Sequence, residues 1–229
     1  MKTGLLVILI NALIFTASSQ EPIPIHISFV PVFRNIPIVL DESLFPISKP
    51  DSIKFTTLKF YISNIQFLNN AEFVYSEKNS FHLIDAGNKN TIGIFVTLPA
   101  RITFNKIKFN LGIDSITNVS GVMGGDLDPT KGMYWTWQSG YINFKLEGSC
   151  SICPGRNHEF QFHLGGYQTP FNSIQSVVLN VARTNDFNIY LDLGKFIYSV
   201  DLSKQNHIMS PSYEAVNLSM ELSKCFFTE

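Results

Sequence analysis

The chain has 229 residues, of which 45% are hydrophobic and only 15% are charged. Twenty phenylalanines and this low charge favour a heavily packed interior and exclude an intrinsically disordered chain. Seventeen Lys and Arg against eighteen Asp and Glu give a net charge of −1, and no run of like charge stands out. The sequence therefore lacks the basic surface that a nucleic-acid or anionic-membrane partner requires.

The first residues have the pattern of a secretory signal peptide. Lys2 supplies a positive start, the run from Leu5 to Phe15 is apolar apart from one Asn, and Ala17-Ser18-Ser19 offers small residues for cleavage. The apolar run is shorter than the roughly 20 residues that a membrane span needs. We therefore predict that residues 1–19 are a cleaved signal peptide. The mature protein is expected in the periplasm or at the cell surface of a bacterium, without a membrane span.

Removal of 19 from 229 residues leaves 210, a length typical of one large β domain, so residues 20–229 are predicted to form a single domain. Short segments rich in β-branched and aromatic residues follow one another, separated by Gly, Asn, Asp and Pro. The predicted strands are His26–Val32, Ser52–Leu68, Phe81–Ile84, Gly93–Leu98, Arg101–Leu111, Tyr141–Glu147, Glu159–Leu164, Ser173–Val181 and Phe187–Asp192.

Helical patterns are confined to the C-terminal part. Pro211–Phe226 has apolar residues at helical spacing, with Ser210 or Ser212 as its N-cap, and Leu193–Tyr198 is a second, shorter candidate. Many strands with few helices, and no βαβ alternation, predict an all-β fold. We expect an antiparallel β-sandwich with one or two short peripheral helices.

The three cysteines cannot all pair within one molecule. A disulfide between Cys150 and Cys153 leaves Cys225 over, unless Cys225 takes one of the other two. All three pairings remain open at the level of sequence. Metal binding by the isolated Cys150 and Cys153 pair is the less favoured interpretation.

Both tryptophans lie in the glycine-rich and aromatic segment 121–148. Trp135 and Trp137 are two residues apart, and on a strand this spacing places two rings on the same face. Composition alone favours a role in the core for such large rings. A functional role rests on resemblance to known sequences.

Five motifs carry that resemblance: "LKFYISNIQFL", "FNLGI", "MYWTWQSGY", "FQFHLGGY" and "IMSPSYEAV". In content and order they resemble the MbnP-like family of exported copper-binding proteins. This resemblance implies a β-sandwich that binds copper through histidines together with a tryptophan oxidised to kynurenine. It also implies a di-haem cytochrome c peroxidase-like partner that performs the oxidation. Trp135, Trp137 and His163 stand at the motif positions.

The resemblance also defines an alternative. Copper-binding relatives carry His where this chain has Ser63, and another His in the loop that here reads Gly124–Asp128. His82, on a predicted strand, is a candidate to approach His163 as a further ligand, although a hydrogen-bonded structural role is the favoured interpretation of each histidine. His207 and Met209 offer further soft ligands, against a simpler role at the surface. The competing hypothesis is a metal-free β-sandwich scaffold or interaction module.

The remaining motifs give no sign of an enzyme. Asp126 and Asp128 suit either a hard cation or a turn before Pro129, and turn formation is the favoured interpretation. The chain has no G-x-S-x-G, H-E-x-x-H or phosphate-binding loop, and Ser139 has no base near it in sequence. We therefore predict a binding protein rather than an enzyme.

Overall fold

The computed structural model describes residues 21–138, 140–182 and 184–229, so the predicted signal peptide lies outside the described residues. Within them the chain forms fifteen β-strands and three α-helices. In chain order the strands are β1 (Ile23–Phe33), β2 (Ile36–Pro37), β3 (Leu44–Pro46), β4 (Ser52–Asn69), β5 (Glu72–Ser76), β6 (Phe81–Asp85), β7 (Gly93–Leu98), β8 (Lys106–Leu111), β9 (Tyr134–Trp135), β10 (Gly140–Cys150), β11 (Glu159–Gly165), β12 (Gln175–Asn180), β13 (Asp186–Asp192), β14 (His207–Ile208) and β15 (Phe226–Phe227). The helices are α1 (Ser115–Val119), α2 (Leu193–Tyr198) and α3 (Tyr213–Ser223).

The strands form two sheets. In the smaller sheet β1 is central, with β13 on one side and both β7 and β2 on the other. β15 pairs with β13 and forms the edge of the sheet on that side. In the larger sheet the order is β12, β8, β4, β10, β11 and β14, with the short strands β3, β5, β6 and β9 paired alongside. The predicted all-β sandwich with peripheral helices is confirmed. Most strand pairs are antiparallel, whereas β1 with β13 and β11 with β14 are parallel, so the sheets are mixed.

The main core lies between the two sheets, and aromatic rings join them. The ring of Phe29 on β1 meets those of Phe60 and Phe109 on the larger sheet edge-on, at centroid distances of 5.9 and 6.0 Å. Edge-to-face packing of this kind is favourable for buried aromatic pairs. We call the side of the larger sheet that faces this core the inner face, and the opposite side the outer face.

Local irregularities decide which side chains face inward. Phe55 and Leu58 both lie in the main core although they are three residues apart, because Thr56 is an extra residue opposite the Glu147/Gly148 step of β10. The predicted strand 101–111 begins only at Lys106. Arg101 has a φ of 69°, which breaks the extended backbone at that point.

The two predicted helices are found, and their caps follow the sequence. Ser212 accepts a hydrogen bond from the backbone N–H of Ala215 at the start of α3, and Asp192 accepts one from that of Lys195 in α2. Helix α1 was not predicted from the sequence. Its five residues are too few to show a helical period, although Asp114 caps it by accepting from the backbone of Thr117.

Candidate functional site

The tryptophans lie at a β-hairpin, residues 134–141, which we call the tryptophan hairpin. β9 pairs with the start of β10, with Trp135 opposite Gly140, and the loop between them carries Trp137. Trp135 is only 6% exposed, whereas Trp137 is 65% exposed. The indole centroids are 5.9 Å apart. The two rings are therefore neighbours. They do not lie on one strand, as the spacing predicted; the loop instead turns Trp137 back toward Trp135.

Two glycines make room for this hairpin. A Cβ atom on Gly165 would lie 2.7 Å from Cζ3 of Trp135, so the indole rests directly on the backbone of β11. A Cβ atom on Gly140 would lie 3.1 Å from the ring of Tyr167. This contact explains why the first glycine of the "FHLGG" motif, Gly165, has no side chain, since a side chain there would displace the buried indole.

Trp135 belongs to a second apolar cluster on the outer face, which we call the outer cluster. Its buried members are Tyr61, Leu83, Ile113, Leu127, Met133, Trp135, Tyr141 and Ile142. Tyr61, Leu83, Tyr141 and Ile142 come from β4, β6 and β10 of the larger sheet. The other four come from residues 112–135, which pack over this part of the outer face and which we call the covering segment. The sequence motif rich in glycine and aromatics therefore builds a small core of its own.

Tyrosine hydroxyls fix the covering segment. The hydroxyl of Tyr141 donates to the carbonyl of Leu127 at 3.1 Å and accepts from the backbone N–H of Met123 at 3.2 Å. The hydroxyl of Tyr61 donates to the carbonyl of Asp126 at 3.1 Å, and burial raises its pKa. Both phenols therefore stay protonated and remain hydrogen-bond donors at neutral pH.

The two aspartates of the covering segment stabilise it. Asp126 accepts from Nζ of Lys131 at 2.6 Å and from the backbone N–H of Leu83 at 3.1 Å. Asp128 accepts from both the backbone N–H and the hydroxyl of Thr130, and these bonds lower the pKa of its carboxyl group. The favoured prediction, that these carboxylates stabilise a turn, is confirmed by these contacts.

His163 lies on the outer face at the centre of β11. Its chain neighbours Phe162 and Leu164 belong to the main core, so strand alternation directs the imidazole outward. The side chain is nevertheless 7% exposed, and Nε2 donates to Oε1 of Glu147 at 2.7 Å. Nζ of Lys145 lies 3.6 Å from the same carboxylate oxygen.

The charge states of this pair follow from burial and contact. Desolvation lowers the pKa of His163 below its ordinary value, and the opposing bond to Glu147 does not reverse the shift. Burial works against ionisation of Glu147, but the hydrogen bonds from His163 and Thr57 and the nearby Lys145 outweigh it and lower its pKa. At neutral pH the pair is a neutral imidazole held by a carboxylate.

Trp135, on β9, packs against the same face of β11 from which His163 projects. Gly165, on which the indole rests, follows His163 by two residues, so its Cα lies about 7 Å further along the outer face. The next strand adds another imidazole, because β14 places His207 opposite Gln161 in parallel register and His207 also contributes to the lowered pKa of His163. These three side chains are the ones that the fold brings to one region.

His82 is not part of that region. It pairs with Ile62, whose side chain belongs to the main core, and so faces the inner side at the edge of the larger sheet. Its Nε2 donates to Oε2 of Glu77 at 2.8 Å. His82 does not approach His163, because the two lie on opposite faces of the sheet, and each is hydrogen-bonded to its own carboxylate, which is the favoured interpretation from the sequence.

The other candidate positions have structural partners. Ser63 is buried, and its hydroxyl donates to the carbonyl of Gly112 at 2.6 Å. His26 stacks on Phe95, with centroids 4.5 Å apart, and Nδ1 of His158 donates to the carbonyl of Cys153 at 2.8 Å. Across residues 21–138, 140–182 and 184–229, no three His, Cys, Asp or Glu side chains lie together as a metal-binding group. The described residues therefore hold no preformed site of these ligand types.

A cavity of about 300 Å³ opens beside Trp135. It is lined by three aromatic residues together with glutamines, glycines, prolines and one threonine: Trp135, Gln138, Gly140, Gly166, Tyr167, Gln168, Thr169, Pro170, Phe171 and Pro211. His163 is not among them.

Comparisons of sequence and structure with known proteins identify the family of the chain. The family model of MbnP matches residues 22–210, which is most of the sequence. The chain belongs to the MbnP family. MbnP from Methylosinus trichosporium has a similar structure, with a TM-score of 0.60 at 16% identity over 80% of each chain, which establishes a common fold for this MbnP-family protein. No curated protein matches the sequence. Among the described helices, none is long and apolar enough to cross a membrane.

Proposed function

We propose that this MbnP-family protein is an exported binding protein that holds copper on the outer face of its larger sheet after one tryptophan has been oxidised. One observation carries the proposal. The buried indole of Trp135 rests on Gly165, two residues from the imidazole of His163 and on the same side of β11. The arrangement suits binding, and the protein is proposed to be a carrier rather than an enzyme.

The environment of His163 supports metal binding. A histidine that ligates a metal commonly donates its other ring nitrogen to a carboxylate, which fixes the tautomer and orients the ring. Nε2 of His163 donates to Glu147 at 2.7 Å, so Nδ1 is the nitrogen left for a ligand. Since desolvation lowers the pKa of His163, copper need not displace a proton from it at neutral pH.

The number of donors explains why oxidation comes first. One imidazole does not make a copper site, and the described residues contain no three-residue cluster of His, Cys, Asp and Glu. Oxidative opening of an indole to kynurenine supplies an aromatic amine and a ketone as additional donors. With His163 and a second imidazole such as His207, the modified residue completes a set that the unmodified chain lacks.

Exposure suggests how a partner reaches the pair. Trp137 is 65% exposed at the tip of the hairpin, whereas Trp135 is 6% exposed. A di-haem peroxidase-like partner can therefore contact Trp137 directly, and the indole of Trp135 lies next to it at 5.9 Å. We propose that oxidising equivalents enter at Trp137.

The test compares protein made with and without such a peroxidase. Peptide mass mapping of segment 132–145 should show one indole with a ring carbon replaced by oxygen only when the partner is present. Copper is then titrated in competition with a chelator of known affinity. The modified protein should bind one copper, and His163→Ala should lose at least tenfold in affinity, about 1.4 kcal/mol.

His82→Ala is the matched control, because His82 also donates to a carboxylate but faces the inner side. Its affinity should match that of the wild type. Equal copper binding by oxidised and unoxidised protein would contradict the proposed role of tryptophan oxidation. Loss of binding in His82→Ala with retention in His163→Ala would place the site elsewhere.

A second candidate function is a metal-free interaction module, and the surface beside the hairpin favours it. Ile116 and Val119 on α1 are 81% and 72% exposed, and Val122 is 59% exposed. Asn118 of the same helix accepts from the backbone N–H of Tyr141 at 2.8 Å, so this apolar surface adjoins the tryptophan hairpin. Oxidised protein that binds no copper above background would favour this second function.

A further inference from the structure

We propose that Cys150 and Cys153 form a disulfide that closes the turn between β10 and β11. Their Sγ atoms lie 2.7 Å apart, and both residues are buried in the main core. A disulfide needs the sulfur atoms at about 2.05 Å, so the two sulfur atoms must approach by less than about 1 Å for the bond to form. The crosslink is a modification of the chain that copper binding does not require.

The backbone is already bent into the shape that the bond needs. The N–H of Cys153 donates to the carbonyl of Cys150 at 3.0 Å, which forms a tight turn. The N–H of Cys150 donates to the carbonyl of His158 at 2.8 Å, and the His158 ring returns to the carbonyl of Cys153. Three hydrogen bonds therefore hold the two cysteines in place, so the crosslink costs little further ordering.

The electrostatics point to a structural bond rather than a reactive dithiol. Reactive Cys-x-x-Cys pairs stand at helix N-termini or beside cations, where the thiol pKa is lowered. Here burial, and then the neighbouring Cys150, raises the pKa of Cys153. The turn follows a strand rather than preceding a helix. A bond formed in this setting exchanges slowly with external thiols.

Cys225 is the cysteine left over. It follows α3, and its Sγ donates to the carbonyl of Glu221 at 3.3 Å. Burial raises its pKa to about 12, so it remains a neutral thiol. The three pairings that the sequence left open thus reduce to one, because the contact between sulfur atoms joins Cys150 to Cys153.

Copper held by both thiolates is the main competing use of the pair. That use needs deprotonation of both thiols, whereas burial raises the pKa of Cys153 and favours its neutral form. Nδ1 of His158, the nearest imidazole in the turn, is engaged by the carbonyl of Cys153. Within the described ranges no third His, Cys, Asp or Glu joins the pair as a ligand.

The reaction balances with an external disulfide oxidant. The two thiols lose two protons and two electrons as the sulfur–sulfur bond forms, and the oxidant disulfide takes both and is released as two thiols. Such oxidants act outside the cytosol, so crosslinking in the cell rests on the export that we propose above. Crosslinking of the purified protein does not depend on it.

The test reads thiols residue by residue. Protein secreted into a bacterial periplasm is denatured without reductant, alkylated and digested with trypsin, which leaves both Cys150 and Cys153 in the peptide 146–156 and Cys225 in the peptide 225–229. We expect peptide 146–156 to be unlabelled and two hydrogen atoms lighter than its reduced form, and peptide 225–229 to be labelled. Reduction should lower the melting temperature by roughly 4–8 °C, as expected for a four-residue loop in a chain of this size.

Three controls separate the outcomes. Cys225→Ala should keep the melting shift on reduction, and Cys150→Ala/Cys153→Ala should abolish it. Reduced protein made in the cytosol and treated with oxidised glutathione should acquire the same bond. If the protein is not exported, it should be recovered as an uncleaved precursor. The oxidation of the cytosolic protein by glutathione still tests the disulfide in that case. Three results would each overturn the proposal. The first is two labelled cysteines in peptide 146–156 after that oxidation, and the second is a disulfide to Cys225. The third is labelling of the cysteines that is blocked until a copper chelator is added.

Discussion

The two sides of the larger sheet are built in different ways. The inner face packs against the smaller sheet through side chains that come almost entirely from strands, and polar groups are few in that core. The outer cluster is half strand and half covering segment, and tyrosine hydroxyls, Asp126 and Asn118 hold the covering segment in place. Stability is therefore concentrated on the inner face, whereas the tryptophans and His163 lie on the outer face. A binding site can change there without disturbing the main core.

The largest loss of stability is expected when an aromatic ring is removed from the inner face. Phe60 meets Phe29, Phe144 and Phe226 at centroid distances of 5.8 to 6.0 Å, so it joins both sheets. Phe60→Ala should lower the free energy of unfolding by about 3–5 kcal/mol, as measured by urea denaturation. Phe73→Ala, at a 58% exposed position, should cost less than about 1 kcal/mol. Equal effects of the two would contradict the assignment of the core.

A smaller effect is expected on the outer face from Gly165→Ala. The added methyl group would lie 2.7 Å from Trp135 and 2.8 Å from the carbonyl of Tyr141, so the indole must move. We expect a loss of about 1–3 kcal/mol in the free energy of unfolding. In a Trp137→Phe background, the fluorescence of Trp135 should also shift to longer wavelength. Gly124→Ala is the control, since a Cβ atom there meets nothing within 4 Å. An unshifted spectrum would mean that Trp135 does not rest on Gly165.

Tyr141→Phe should lower the free energy of unfolding by still less, and its effect should be confined to the covering segment. It removes the hydroxyl that bonds Leu127 and Met123, for a loss of about 1 kcal/mol in the free energy of unfolding. Amide hydrogen exchange of segment 121–128 should accelerate, while that of the inner strands should not change. Tyr190→Phe, whose hydroxyl bonds only surface groups, is the matched control. Uniform acceleration over the whole chain would show that the covering segment is not a separate unit.

The strands of the inner face were predictable because their composition is a local signal. Segments rich in β-branched and aromatic residues predicted β1 and β4, and turn residues marked the ends of strands, but the extra residue Thr56 that shifts the alternation of β4 was not predicted. The parallel pairing of β1 with β13 was not predictable, since no local pattern reports a contact between residues about 160 positions apart. Fold class thus follows from pattern, and sheet order does not.

The outer face was predictable only in part. The tryptophan pair and His163 were identified as candidates through family resemblance, and the structure places Trp135 and His163 on one face of β11. The role of Glu147 was missed, because it depends on the register that sets β10 beside β11. The separation of His82 from His163 follows from the same registers. Glycines beside the "FHL" motif were the one sequence signal of a closely packed ring.

The smallest expected effect is a pH dependence that originates on the outer face. Burial lowers the folded-state pKa of His163 from its ordinary value of 6.5, so the unfolded chain binds more protons below that value. Stability should therefore be fully present above pH 6.5 and fall as the pH decreases through the lowered pKa. Glu147 adds a second loss that begins below its ordinary value of 4.5, because its pKa is also lowered.

The check is urea denaturation of wild type and His163→Asn at about pH 7.5 and about pH 5. The wild type should lose more stability than the variant between these two values, since only the wild type must keep a buried imidazole neutral. His26→Asn, which alters an imidazole on the smaller sheet, should leave the wild-type loss unchanged. If the variant and the wild type lose stability equally, His163 is not the buried group that titrates, and the claim that the outer face holds a neutral, ligand-ready imidazole fails with it.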